Sequence, residues 1–335
     1  MSIERVIGAA IVSVAVWVLS DSKKSASPEL QRMFERFHDE IKLEENDERL
    51  KLRTKRELLL KTLRKKLAAH SLGFESFDQG SYAMRTGVVP KDGNYDIDVG
   101  LIFDCSQERF PNPVELKSLV HDALVGSKRN IAIRRACVTV TYFYDQMPDY
   151  HVDLAIYVRA TDGSLLLAKG RRHSETAKCE WVPAAPQELT QFVLAKFSGD
   201  EQAQYRRCIR YLKRWRDENF VSGAPVSIAL TVAATMWFEP KQAEDGAPFD
   251  LAAIHSLVKR IRQNFGNNFS FDRLAVPLPG FSRTDLMSKL TPLQMAFFKE
   301  RLRSLENALS KCYGDMPVVQ AARILATPFG RDFLS

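Results

Sequence analysis

Apolar positions recur along this chain with two periods, and the switches between them mark out the elements. Residues 27–70 have helical spacing in two pieces, roughly 33–43 and 47–69. Ser27-Pro28-Glu29 opens the first piece with a capping hydroxyl and a proline at the first helical position. In the second piece Leu52, Leu59, Leu63 and Leu67 fall near one face, and lysines and arginines cover the others. Ser71-Leu72-Gly73 ends it. The period then drops to two. Residues 96–104, 136–144 and 150–158 alternate and are rich in β-branched and aromatic side chains, which predicts three strands. A helical stretch, 113–125, separates the first two strands. Asp162-Gly163 is a turn signal leading into 164–169.

From Pro186 onward the spacing is helical again, with helices predicted at 203–219, 225–238, 250–265, 291–312 and 318–326 and Pro- and Gly-containing loops between them. The pattern predicts an α/β lobe with a mixed sheet, followed by an all-α lobe. The expected division is an apolar N-terminal segment and linker at 1–27, N-terminal helices and α/β core at 28–190, and a helical domain at 191–335.

Composition adds limits. The 335 residues carry 48 basic and 41 acidic side chains, a formal charge of +7 that leans towards anionic partners. The five cysteines are scattered with no CxxC pair, which argues against a disulfide framework or a structural zinc site and for a reducing compartment. His173 and Cys179 are close in sequence, but two ligands do not make a metal site. Residues 6–19 form an uncharged apolar run of 14 residues. That is short of the roughly 20 a spanning helix needs. The expectation is a packing helix in a cytoplasmic protein; an anchor to the inner face of the membrane and a signal peptide are the alternatives.

The chemistry gathers in QGSYAMRTGVVPKDGNYDIDVGLIFD, residues 79–104. Asp96 and Asp98 sit at i and i+2 of a strand, so both carboxylates face one side and repel each other. A divalent cation with hard-oxygen preference removes that penalty. On its own, DxD before an apolar strand is also what an exposed strand start looks like. Upstream, Gly80-Ser81 can offer backbone N–H groups and a hydroxyl to phosphate oxygens. Downstream, Asp153 in YHVDLAIYV shares a strand face with His151 and Ala155. Three carboxylates can hold two Mg²⁺ ions about 3.5–4 Å apart, one at an attacking hydroxyl and one at a triphosphate.

The GSY, threonine, DID and lone Asp in hVDLAIY resemble the polymerase-β-like nucleotidyltransferase superfamily. The closer resemblance is to the bacterial relatives of cyclic GMP–AMP synthase and oligoadenylate synthase, the DncV-like CD-NTases of antiphage (CBASS) signalling. It extends over roughly residues 30–325, with a two-lobed fold and an active site in the cleft as its implication. It implies that Gly80 and Ser81 bind the donor β- and γ-phosphates, that Asp96 and Asp98 coordinate both metals, and that Asp153 coordinates the metal at the attacking hydroxyl and assists its deprotonation. Lys213 in YLKRWRD and Ser227 in PVSIAL fit the family's triphosphate-holding lysine and serine. Each also has a plain reading: Lys213 is one of several basic residues in its helix, and Ser227 is a helix-start residue. Tyr82, Arg85, Thr86 and His151 lie close by with structural roles equally in view, and Trp181, Trp215 and Trp237 are expected in the core.

The implied activity joins NTPs into a cyclic di- or trinucleotide second messenger with release of pyrophosphate. It uses two Mg²⁺ ions, with Mn²⁺ as substitute. The implied partners are NTP substrates such as ATP or GTP, an effector reached only through the nucleotide product, and regulatory proteins; nucleic acid is not required. The alternative is a template-independent nucleotidyltransferase acting on RNA or protein, with the basic stretches 47–69 and 205–216 as its binding surface.

Overall fold

The computed structural model describes residues 27–334 apart from 44–46, 127–128, 145–146, 174, 176–177 and 269–270. The apolar run 6–19, with the localisation that hangs on it, lies outside the described residues. Among the described residues no helix is long and apolar enough to cross a membrane. The chain forms two compact units. One consists of Lys42–Lys196 and Val276–Leu286. The other gathers helix α1 (Pro28–Ile41) with Phe197–Ala275 and Met287–Ser335. Thus α1, which precedes the sheet in sequence, groups with the later helices. Its start follows the expected chemistry, with the Glu29 N–H donating to Ser27 Oγ at 3.2 Å.

The sheet unit begins with α2 (Asp47–Leu67), whose Leu52, Leu59, Leu63 and Leu67 are all buried. A 3₁₀ turn at Ala68–His70 ends it, and Ser71, rather than Gly73, takes the left-handed conformation (φ 51°). The strands are β1 (Phe74–Asp78), β2 (Tyr95–Phe103), β3 (Arg129–Ile133), β4 (Val138–Tyr144), β5 (Met147–Arg159), β6 (Leu165–Lys169) and β7 (Glu180–Ala184). A one-turn helix α3 (Gly80–Ala83) links β1 to β2, α4 (Pro113–Leu124) precedes β3, and α5 (Pro186–Leu194) follows β7. Asn112 caps α4 by accepting from the Val114 N–H at 3.0 Å.

The sheet order is β1-β2-β5-β4-β3, with β6 bridging β5 to β7. Only β2 and β5 run parallel; every other pair is antiparallel. One face packs on α2 and α4 through Ile97, Val99, Leu101, Phe103, Val152, Leu154, Ile156 and Val158. This is the apolar half of each predicted alternation. The opposite face is split. Ile102, Ala155, Tyr157 and Leu165 form a small apolar cluster with Phe77, and polar residues occupy the end where β2 begins. The short strands β1, β3 and β7 and the hairpins β8–β9 (Gly266–Asn268, Phe271–Arg273) and β10–β11 (Pro277–Leu278, Phe281–Asp285) were not expected from periodicity, since runs of two to five residues are too short to show it.

The helical unit is built on α6 (Gly199–Asn219), whose Tyr205, Cys208, Ile209, Tyr211, Leu212 and Trp215 are buried. Around it lie α7 (Ser227–Trp237), α8 (Asp250–Gln263), α9 (Pro292–Ser310) and α10 (Val318–Phe329). A capping box between Thr291 and Gln294 starts α9. Asp250, fully buried, accepts from Arg207 at 2.6 and 2.8 Å and from the Tyr211 hydroxyl at 2.8 Å. Its backbone N–H donates to Gln31 Oε1 at 2.8 Å, tying α1, α6 and α8 together.

Candidate active site

The site is a consequence of strand register. Asp96 and Asp98 are two apart on β2 and project from the face opposite α2 and α4. Across the parallel pair, Asp96 is the partner of His151 and Asp98 the partner of Asp153. Across the antiparallel pair, Thr139 is the partner of Asp153 and Thr141 of His151. Register partners share a face and adjacent strands are about 4.8 Å apart. The sheet therefore brings Asp98 and Asp153 side by side, with Asp96 at the next same-face position. Asp96 is exposed; Asp98 and Asp153 are half-buried.

Gly80 completes this arrangement. The Gln79 N–H donates to the Asp98 carbonyl at 3.2 Å, extending the β1–β2 ladder by one bond. The chain then turns through Gly80 at φ 67° into α3. A Cβ on Gly80 would lie 1.9 Å from Asp98 Oδ2. Glycine is required twice over: its backbone is left-handed, and a carboxylate occupies the volume of its missing side chain. Ser81 follows in the first turn of α3, where helix N–H groups have no helical acceptor. The Ser81 carbonyl accepts from the Thr86 N–H at 3.0 Å, and Thr86 is completely buried. Tyr82 packs against the hydrophobic core, and Arg85 takes a left-handed backbone at φ 55°.

The electrostatics are those of crowded carboxylates. Asp153 Oδ1 is buried and has no hydrogen-bond partner. Burial, and then the Asp153 carboxylate, push the Cys137 thiol up to about 12. Burial also drives the Tyr157 phenol far above its ordinary value, with the Asp98 charge adding to it. The Thr141 hydroxyl and His151 Nδ1 are 3.0 Å apart, so His151 is engaged rather than open on the strand. Among the described residues no three His, Cys, Asp or Glu side chains close on a single point to form a metal cage. The paired Asp98 and Asp153, with the orphaned Oδ1 of Asp153, fit an open cation site whose remaining ligands come from water and phosphate.

Lys213 and Ser227 belong to the helical unit. Lys213 is buried on α6, not part of a solvated basic face. Ser227 is the first residue of α7; the cap position is Val226, and no side-chain cap is made. Its carbonyl accepts from the Thr231 hydroxyl at 3.2 Å. Trp215 is in the core as expected, and Trp181 is half-buried with its indole N–H donating to the Phe110 carbonyl at 2.9 Å. Sequence reasoning missed two contributors to the site face, the threonine row of β4 and the Tyr157 hydroxyl, which bonds to Gln79 Oε1 at 2.9 Å. Alternation in 138–144 carried the first signal; nothing local carried the second.

Residues 75–157, the segment that holds Gly80, Ser81 and all three aspartates, match the family model for the nucleotidyltransferase domain of DncV-like cyclic GMP-AMP synthase. Over those residues the chain carries a DncV-like nucleotidyltransferase domain. It is a nucleotidyltransferase, and divalent-metal dependence goes with the family. The fold agrees. The CD-NTase CdnG of Bradyrhizobium diazoefficiens, solved with GTP, superposes with a TM-score of 0.70 at 15% identity, covering 92% of this chain and 98% of that one. Escherichia coli DncV, solved with 3'-deoxy GTP, gives 0.68 at 16% identity over 88% and 94%. Vibrio cholerae DncV, solved with the linear intermediate 5' pppA(3',5')pG, gives 0.58 at 19% identity over 78% and 70%.

Proposed function

We propose that this nucleotidyltransferase joins NTPs into a cyclic di- or trinucleotide signal, and that Asp96, Asp98 and Asp153 are its reacting centre. The observation that carries the reading is the register of Asp98 with Asp153 beside the Gly80 turn, within the segment that matches the family. A ribose hydroxyl oxygen of the acceptor attacks the donor α-phosphorus. A new P–O bond forms, the bond to the β-phosphate bridging oxygen breaks, and pyrophosphate leaves with that electron pair. A second transfer, from a hydroxyl of the linear product to its own triphosphate end, closes the ring.

In this reading the N–H groups of the Gly80-Ser81 turn and the Ser81 hydroxyl bind the donor phosphates, with Lys213 and Ser227 as further triphosphate ligands. Asp96, Asp98 and Asp153 hold two Mg²⁺ ions, which Mn²⁺ replaces; when bound they lower the pKa of the attacking hydroxyl and offset the triphosphate charge. Asp153, whose buried Oδ1 is unpartnered, receives the hydroxyl proton. The partners are NTPs, an effector reached through the product, and regulatory proteins. The test is pyrophosphate release from an equimolar NTP mixture with Mg²⁺. Wild type releases it, and Asp98→Asn and Asp153→Asn do so at least 10³-fold more slowly. Equal rates in all three would reject this site.

A further inference from the structure

The apolar cluster on the site face sits beside the carboxylates, and one polar atom crosses from it to the phosphate turn. Tyr157 is 4% exposed, and its hydroxyl donates to Gln79 Oε1 at 2.9 Å across 78 residues of sequence. Its ring lies 5.8 Å from that of Phe77. The distal edge of the Phe77 ring in turn sits over Gly100, where an added Cβ would come within 2.2 Å of it. The phenol is therefore walled in on one face by β1 and by the cluster around Ile102 and Ala155. Gln79 is held at two points, its side chain by Tyr157 and its backbone N–H by the Asp98 carbonyl at 3.2 Å. The next residue is Gly80, and the Asp98 carboxylate occupies the space a side chain there would fill. Burial, with the Asp98 charge adding to it, raises the phenol well above its ordinary value, in keeping with a hydroxyl that donates to Gln79. A hydroxyl buried among apolar groups and donating to the residue before the phosphate turn contributes a fixed geometry.

We infer that Tyr157 is a positioning residue for donor-nucleotide binding, acting through Gln79 to fix the turn that presents Gly80 and Ser81. The inference rests on the reading of Gly80-Ser81 as the phosphate turn. Tyr157→Phe keeps the ring packing against Phe77 and removes only the hydrogen bond. It should raise the KM for NTP about three- to tenfold with kcat within about twofold, the size expected for one buried hydrogen bond. Gln79→Leu should show the same direction. The double variant Tyr157→Phe/Gln79→Leu should be no worse than Gln79→Leu alone, since both act along one connection. Wild-type KM in Tyr157→Phe, or losses that multiply in the double variant, would overturn the inference. Absence of NTP binding and turnover in wild type would instead defeat the reading of the turn, so the two failures are distinguishable.

Discussion

The Asp98 carboxylate occupies the space that a side chain on Gly80 would fill, its Oδ2 1.9 Å from where that Cβ would stand. Gly80→Ala therefore forces the carboxylate away from its place beside Asp153 and demands a left-handed alanine, which costs about 1–2 kcal/mol by itself. A displacement near 1 Å at a reacting centre lowers rates about 10²-fold. The variant should fold, with far-UV circular dichroism unchanged, and show nucleotidyl transfer reduced by at least that factor.

Asp98 and Asp153 are like-charged register partners, and Asp153 Oδ1 is buried without a hydrogen-bond partner of its own. Neutralising one of them should stabilise the empty protein while abolishing activity. Asp153→Asn is expected to gain about 1 kcal/mol, or roughly 2–4 °C in Tm. Millimolar Mg²⁺ with NTP should raise the wild-type Tm and leave that of the variant unchanged. Calorimetry with and without the ligands checks both parts.

Much of this was legible beforehand because the signals were periodic or local. The alternation of 96–104 and 150–158 placed Asp96, Asp98 and Asp153 on one face, and the observed strands Tyr95–Phe103 and Met147–Arg159 keep that parity. The four leucines of α2 fell on the buried stripe. What could not be read was tertiary: which strands are neighbours, and in what register. Nothing near Tyr157 announces Gln79 as its partner, and nothing near Gly100 announces that Phe77 crosses it. The two compact units were likewise not contiguous, because α1 packs its Phe34 and Phe37 rings against Tyr211, Phe329 and Phe333, far along the chain.

A buried cation elsewhere in the sheet unit gives the stability a pH dependence. Lys117 is fully buried and its ammonium donates to the carbonyls of Arg134, Arg135 and Gly170 at 2.5, 3.0 and 2.7 Å. Burial lowers it from 10.5 to about 8. Between those values the unfolded chain binds more protons than the folded one, so this group makes stability rise with pH across about 8–10.5 and leaves it flat below. Lys117→Met should be less stable, with three carbonyls left unpaired, and should lack that rise. Urea unfolding of both proteins at a series of pH values measures the difference.

In the helical unit, the Arg207–Asp250 pair is the most buried ion pair among those described, and Tyr211 adds a third bond. Asp250→Ala leaves a guanidinium without its carboxylate and should cost about 3–5 kcal/mol, loosening α1 and α8 from α6. Arg207→Met in the Asp250→Ala background should recover part of the loss. Thermal unfolding of the single and double variants checks this; a double variant no better than the single would place the cost elsewhere.

The central claim concerns the product. Purified protein incubated with ATP, GTP, CTP and UTP and Mg²⁺, then treated with phosphatase, should yield a phosphatase-resistant nucleotide. Its mass by mass spectrometry should equal two or three nucleoside monophosphates less one water for each, the mass of a closed ring. Asp98→Asn should yield none. A product that carries a terminal phosphate removable by phosphatase, or label transferred only to RNA or protein, would contradict the account.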